Sequence, residues 1–318
     1  MTRVVVTDAT FAGVMLEEAA AVAAGASFQR FDCKTADEVT EAVQGADVAV
    51  VQFAALTAAA VAGMAAGSRA IRYGVGFNNF DLAALDAAGV TAAYVPDYCM
   101  DEVADHTAAS ILALLRKLVP LDASVRKGDW SAVGVARPLP AFRETTVGFL
   151  GFGRIAQEVA RRLAPFGFRM IAVDPVAVGV EMVNLPTLLA QSDALTLHAP
   201  ATAATTGIIN AQTLAQMKRT AVIVNSARGD LIVEDDLARA LTDGTLAGAA
   251  LDVFASEPLP MTSPLRHAPN TVLTPHAAWY SDVAVGRLQA MVADEITRAL
   301  TGRPARRPIP GTFAYGKD

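Results

Sequence analysis

The chain has 318 residues, 53% of them hydrophobic and only 18% charged, which suits two buried cores better than one. A formal net charge of −6 argues against nucleic acid or an anionic membrane as partner, although a local cation can still recruit a small anion. Two cysteines, Cys33 and Cys99, make no disulfide framework and fit a reducing cytoplasm. The start MTRVVVTDA enters a strand directly and lacks a signal peptide's layout. The most apolar stretch, 54–66, is short of the roughly twenty residues needed to span a bilayer.

Strands are expected at 3–7, 28–31, 48–52 and 70–73, with helices at 16–24, 36–43 and 58–66 between them. That alternation implies parallel pairing and right-handed crossovers, hence a small α/β domain ending near Pro96 and Asp97. Residues 101–117 read as a long helix with acids in its first turn and cations in its last, matching its dipole. A looser segment follows at 128–140, with Trp130, Pro138 and Pro140.

The apolar run 147–150 then leads through Gly151-Phe152-Gly153-Arg154-Ile155-Ala156 into a helix over 155–163, and a second run, 168–173, ends at Asp174. A dinucleotide-binding βαβ unit needs this order. Gly151 permits the turn out of the strand, Gly153 lets the backbone approach a pyrophosphate, and Ala156 allows close helix packing. The helix start offers N–H groups and a positive dipole end to the phosphates. Asp174 stands where a carboxylate accepts hydrogen bonds from an adenosine ribose. Pro175 and Val176, not an arginine, follow it, which favours NAD over NADP.

Further strands are expected at 194–197, 221–225, 247–252 and 271–273, with helices at 185–189, 211–217, 234–242 and 282–300. The fold class is therefore α/β, with two Rossmann-like, doubly wound parallel-sheet domains and an inter-domain cleft. The last helix is expected to return to the first domain. Three words place polar groups at carboxyl ends of strands, where open α/β sheets bind ligands. Arg228 offers a fixed fork suited to a carboxylate. Asp252 and Glu257 are acids beside an apolar run, and His276 follows a strand and a stiffening proline. Histidine is the usual acid–base at neutral pH, and a carboxylate partner such as Glu257 would fix its tautomer.

Taken together, Gly151–Ala156 with Asp174, His198-Ala199-Pro200, 225–229, 252–258 and Pro275-His276 resemble the D-isomer-specific 2-hydroxyacid dehydrogenases in that family's order. Residues 73–81 and 95–105 of the first domain match too. The words Pro96-Asp97-Tyr98 and 276–281 are similar to the branch containing the C-terminal binding proteins. The resemblance implies a substrate-binding, flavodoxin-like domain at 1–98 plus about 292–318, and an NAD-binding Rossmann domain at 99–291. It also implies that Arg228, Glu257 and His276 are catalytic: Arg228 binds the substrate's carboxylate and carbonyl, His276 exchanges a proton with the carbonyl oxygen, and Glu257 keeps His276 protonated. Cofactor contacts are expected at Gly151, Gly153, Arg154, Ile155, Asp174, His198, Ala227 and Asp252, the last toward the nicotinamide amide. Substrate contacts are expected at Val75 and Gly76, through backbone N–H groups, and at Arg72 and Trp279. Gln52 and Phe53 are weaker candidates for side-chain specificity.

The expected activity is NAD-dependent interconversion of a small 2-keto acid and its D-2-hydroxy acid. Two alternatives stay open here: a dehydrogenase of a phosphorylated hydroxy acid such as 3-phosphoglycerate, and a non-enzymatic NAD(H)-sensing binding protein. The acid at 257 disfavours formate oxidation, for which the family resemblance implies glutamine. A cytoplasmic homodimer is expected, with 101–140 as its arm, and neither nucleic acid nor membrane as partner. No metal is expected, because no histidines and cysteines share ligand spacing. His106 reads as a structural histidine, His267 as part of a polar loop, Cys99 as an inert thiol, and 303–307 as a solvated tail.

Overall fold

A computed structural model describes residues 2–176 and 178–312. It divides into two compact units, Met1–Cys99 with Ser281–Asp318, and Met100–Tyr280. In the first unit, β1 (Arg3–Val6), β2 (Ser27–Arg30), β3 (Val48–Val51), β4 (Arg69–Arg72) and β5 (Thr91–Tyr94) alternate with α1 (Met15–Ala23), α2 (Ala36–Ala42), α3 (Ala58–Gly63) and α4 (Leu82–Ala87). The sheet is parallel, in the order β2-β1-β3-β4-β5. Val4 to Val6 and Val48 to Val51 are fully buried, as expected where helices cover both faces and a strand reads as an unbroken apolar run. α2 begins with a capping box, Thr35 accepting from the Glu38 N–H while Glu38 reaches back. The short α4 and β5 carry too little periodicity to announce themselves in the sequence.

The second unit holds α5 (Met100–Leu115), α6 (Leu118–Arg126), α7 (Ala132–Ala136), β6 (Thr146–Leu150), α8 (Arg154–Leu163), β7 (Arg169–Val173), β8 (Glu181–Met182) and α9 (Leu185–Gln191). It continues with β9 (Ala194–Leu197), α10 (Ala211–Leu214), β10 (Val222–Asn225), α11 (Glu234–Thr242), β11 (Gly248–Leu251) and β12 (Thr271–Leu273). Its parallel sheet runs β12-β11-β10-β9-β6-β7-β8. One core joins the sheet to α9, α10 and α11, and another joins its opposite face to α5 and α8. Strand order reverses between β6 and β9, so the crevice of this sheet lies beyond Leu150 and Leu197.

Three expectations need correcting. α5 stops at Leu115, so Arg116 and Lys117 are not in its last turn, and Lys117 takes the left-handed conformation that ends the run (φ 51°). The chain returns to the first unit at Ser281 and not near 292, because Ser281 caps α12 (Asp282–Leu300), accepting the Ala284 N–H at 2.9 Å, and the whole helix packs there. Residues 303–307 are no free tail: the Tyr94 N–H donates to the Arg307 carbonyl at 3.0 Å and the Ile309 N–H to Ala92 at 2.9 Å, with Ile309 fully buried.

Two glycines should respond to alanine with opposite signs. A Cβ on Gly229 would lie 1.9 Å from the Phe254 carbonyl carbon, backbone that cannot step aside, so Gly229→Ala is expected to destabilise by about 1–3 kcal/mol. A Cβ on Gly286, inside α12, would meet nothing within 4 Å, and Gly286→Ala is expected to stabilise by about 0.5–1 kcal/mol. Urea unfolding midpoints check both, and equal shifts of the two variants would contradict this packing.

Candidate active site

At the switch point, two backbone segments meet. Gly151 leaves β6 with φ 88°, and a Cβ there would sit 2.8 Å from the His198 carbonyl, so glycine is required both by conformation and by contact. The His198 N–H donates to the Leu150 carbonyl at 2.7 Å, closing the two strand ends together. Gly153 has open space where a Cβ would stand, and it caps α8 without offering a side-chain acceptor to the first N–H groups. Ala156 is fully buried in the core formed with α5. Asp174 ties the turn down: its carboxylate accepts the Phe152 N–H at 2.8 Å and the Val176 N–H at 2.9 Å. An open glycine cradle at a helix start, with a carboxylate at the end of β7, fits a dinucleotide's pyrophosphate and ribose. Arg154 and Ile155 form the helix start beside it.

His198 flanks this cradle. Its ring stacks on Phe149, with centroids 6.0 Å apart, and Nε2 lies 3.0 Å from Thr196 Oγ1. Burial pushes its pKa down to about 4, which favours the neutral imidazole.

The loops after β10, β11 and β12 carry the remaining candidates. His276 Nδ1 stands 2.7 Å from Glu257 Oε2, and Glu257 Oε1 accepts the Phe254 N–H at 3.0 Å. Burial alone would raise the Glu257 carboxyl. The His276 hydrogen bond and field, the Phe254 N–H and the Arg228 charge outweigh that and hold it below its ordinary value. Arg228 therefore acts on the same carboxylate. Asn225 sets the Arg228 backbone, its Nδ2 donating to the Arg228 carbonyl at 2.8 Å while its Oδ1 accepts the Ala227 N–H at 3.0 Å. Arg228 Nη1 donates to the Ala227 carbonyl at 2.5 Å. Gly229 is needed for its close approach to Phe254, not for a left-handed turn.

Asp252 has a role the sequence did not reveal. Only 2% exposed, its carboxylate accepts the Thr274 hydroxyl at 2.6 Å, the Ala277 N–H at 2.8 Å and the Ala278 N–H at 2.9 Å. Its carbonyl takes the His276 N–H at 2.8 Å. His276 has φ 53°, a strained region for any residue but glycine, and these bonds hold it there. Trp279, further along this loop, packs edge-on against Tyr280 with centroids 5.7 Å apart.

In the first unit, Arg72, Val75 and Gly76 share the segment leaving β4. Arg72 Nη1 donates to the Tyr73 carbonyl at 2.6 Å, and its guanidinium lies 6.0 Å from the Phe53 ring. Gly74, at φ 150°, could not carry a Cβ without meeting Arg72 Nη1 at 2.8 Å. Gln52 is buried and accepts the Thr10 N–H at 2.8 Å, which marks it as a structural anchor. Among the described residues no helix is long and apolar enough to cross a membrane, and no group of three His, Cys, Asp or Glu could hold a metal.

Residues 108–278 match the model of the D-isomer specific 2-hydroxyacid dehydrogenase NAD binding domain. A glycerate dehydrogenase of Methylorubrum extorquens is 34% identical over 276 residues, covering 85% of this chain and 88% of that protein. A glyoxylate reductase of Thermofilum pendens is 35% identical over 240 residues, 72% of this chain and 71% of its own length. The structure of D-lactate dehydrogenase from Aquifex aeolicus, complexed with NAD and lactic acid, superposes with a TM-score of 0.85 at 26% identity, covering 94% of this chain and 96% of that one. The chain thus belongs to the D-isomer-specific 2-hydroxyacid dehydrogenases and is an NAD-dependent oxidoreductase that interconverts a 2-keto acid and its D-2-hydroxy acid.

Proposed function

We propose that the chain reduces a small, anionic 2-keto acid of the size of glyoxylate or hydroxypyruvate, with Arg228, Glu257 and His276 as its catalytic residues. The 2.7 Å contact between His276 and Glu257 carries this reading. The relatives named for glycerate and glyoxylate support the substrate size.

In this reading NAD is held by Gly151, Gly153, Arg154, Ile155, Asp174, His198 and Ala227, with Asp252 also near its nicotinamide end, and when bound as NADH it supplies hydride to the keto carbon. Glu257 accepts a hydrogen bond from His276 Nδ1–H, which orients the ring, and His276 in its protonated form gives its Nε2 proton to the carbonyl oxygen. In the oxidative direction Nε2 takes that proton back. Arg228 grips the substrate's carboxylate and offsets charge developing on the carbonyl oxygen. Val75 and Gly76, with backbone N–H groups, and Arg72 and Trp279 complete substrate binding. Asp174 disfavours a 2′-phosphate at the ribose by its negative charge.

We also infer a cytoplasmic homodimer. Trp130 is 91% exposed, and Leu118, Val125 and Val133 are exposed on the same α6–α7 segment, an apolar surface of the kind that subunits cover. Cys33 and Cys99 are both buried, and burial pushes the Cys33 thiol up to about 11, which suits a reducing compartment.

His276→Ala is expected to abolish turnover while NADH fluorescence titration still reports binding. Arg228→Lys should raise KM for the keto acid roughly tenfold, because the bidentate fork is lost. Wild-type kinetics in either variant would remove the role assigned to it. For pH, the folded carboxyl of Glu257 lies below its unfolded value, so the stability it contributes is complete above about pH 4.3 and is lost as pH falls through the depressed value. Wild type should accordingly lose stability relative to Glu257→Gln on acidification below that point, and parallel melting curves would contradict the pairing. Light scattering should give twice the chain mass for wild type and the single mass for a Trp130→Glu, Val133→Glu variant. A monomeric wild type would exclude the dimer.

A further inference from the structure

We propose that His106 is a positioning residue for the catalytic loop, acting from α5 through Thr274 on Asp252 and thereby on His276. This rests on the assignment of His276 as the proton-transfer group. Thr274 has one hydroxyl proton and gives it to Asp252 Oδ1 at 2.6 Å. Its contact with His106 Nε2, at 3.3 Å, must then be one in which the imidazole donates, so His106 carries its proton on Nε2. The hydroxyl thus accepts from one side and donates to the other, an arrangement in which each bond polarises the next. His106 Nε2 also lies 4.0 Å from Asp252 Oδ1 itself. Asp252 in turn holds the N–H groups of His276, Ala277 and Ala278.

The neighbouring residue of α5 does the same for the second catalytic loop. Thr107 Oγ1 donates to the Val103 carbonyl at 2.8 Å, so the Ser226 hydroxyl, 2.6 Å away, is the donor to it. Ser226 stands two residues before Arg228. Consecutive side chains of one helix therefore brace the loops carrying the arginine and the histidine. His106 is not a packing element: its side chain is 27% exposed, whereas Ala104, Ala108 and Ile111 of the same helix supply the buried apolar contacts. A small misplacement of a reacting group can cost up to about 100-fold in rate, so a brace of this kind bears on turnover more than on folding.

The test compares His106→Phe, which keeps a ring and loses the donor, with His106→Gln, which restores an N–H donor, and with Thr274→Val. His106→Phe is expected to lower kcat about tenfold while KM for the keto acid, NADH affinity and melting temperature hold. His106→Gln should recover most of that loss. His106→Phe added to Thr274→Val should cost nothing more than Thr274→Val alone, because His106 acts through the Thr274 hydroxyl. The His276 Cε1 proton resonance should move in His106→Phe and Thr274→Val and stay in place in His106→Gln. Wild-type kcat in His106→Phe, multiplicative losses in the double variant, or a loss of NADH affinity and melting temperature that glutamine does not rescue would each overturn the proposal. If the wild-type protein reduced no 2-keto acid, the functional assignment would fall separately. The His276 resonance would still decide: displaced, it supports the brace, and unmoved, it overturns it.

Discussion

One buried carboxylate sets the conformation of the segment that carries His276. Asp252 sits at the carboxyl end of β11, nearly inaccessible, where an unpaired negative charge would be severely penalised. It is satisfied by a hydroxyl and two backbone N–H groups, all from the segment that follows β12. Those bonds, with the one from the His276 N–H to the Asp252 carbonyl, keep His276 in a backbone conformation that its own sterics disfavour. The reward of that strain is an imidazole directed at Glu257.

The fold explains why residues so distant in sequence meet. In a parallel sheet every strand delivers its carboxyl end to the same edge, and the loops there are free to carry side chains that a rigid scaffold positions. β6 and β9 deliver the glycine turn and His198 on either side of the switch point. β10, β11 and β12 deliver Arg228, Asp252 and His276 in adjoining loops. A helix lying across this sheet, α5, then reaches two of those loops with neighbouring side chains.

Much of this was legible in the sequence because the signals were local. Strands 194–197 and 271–273 and helices 234–242 and 282–300 match their expected limits, since unbroken apolar runs and 3.6-residue periodicity survive any tertiary context. The glycine turn is legible for the same reason: its strand, turn and helix are contiguous. The pairing of Glu257 with His276 could be guessed from residue types but its geometry could not. What stayed hidden depends on long-range contact. The hydrogen bonds of Asp252 stayed hidden because nothing local showed that its oxygens serve 274, 277 and 278. His106 looked like an ordinary helix histidine because its partner is 168 positions away. The basic segment 303–307 looked solvated because its pairing with β5 spans two hundred residues of chain, and α6 was missed because none of its residues is buried.

The most direct measurement is chiral chromatography of the products formed from pyruvate and hydroxypyruvate with NADH, alongside NADH consumption with these acids and with glyoxylate. A site built from Arg228, Glu257 and His276 in this family predicts D-lactate or D-glycerate, formed one for one with NADH oxidised. An L-configured product, or no NADH oxidation with any of these acids, would contradict it.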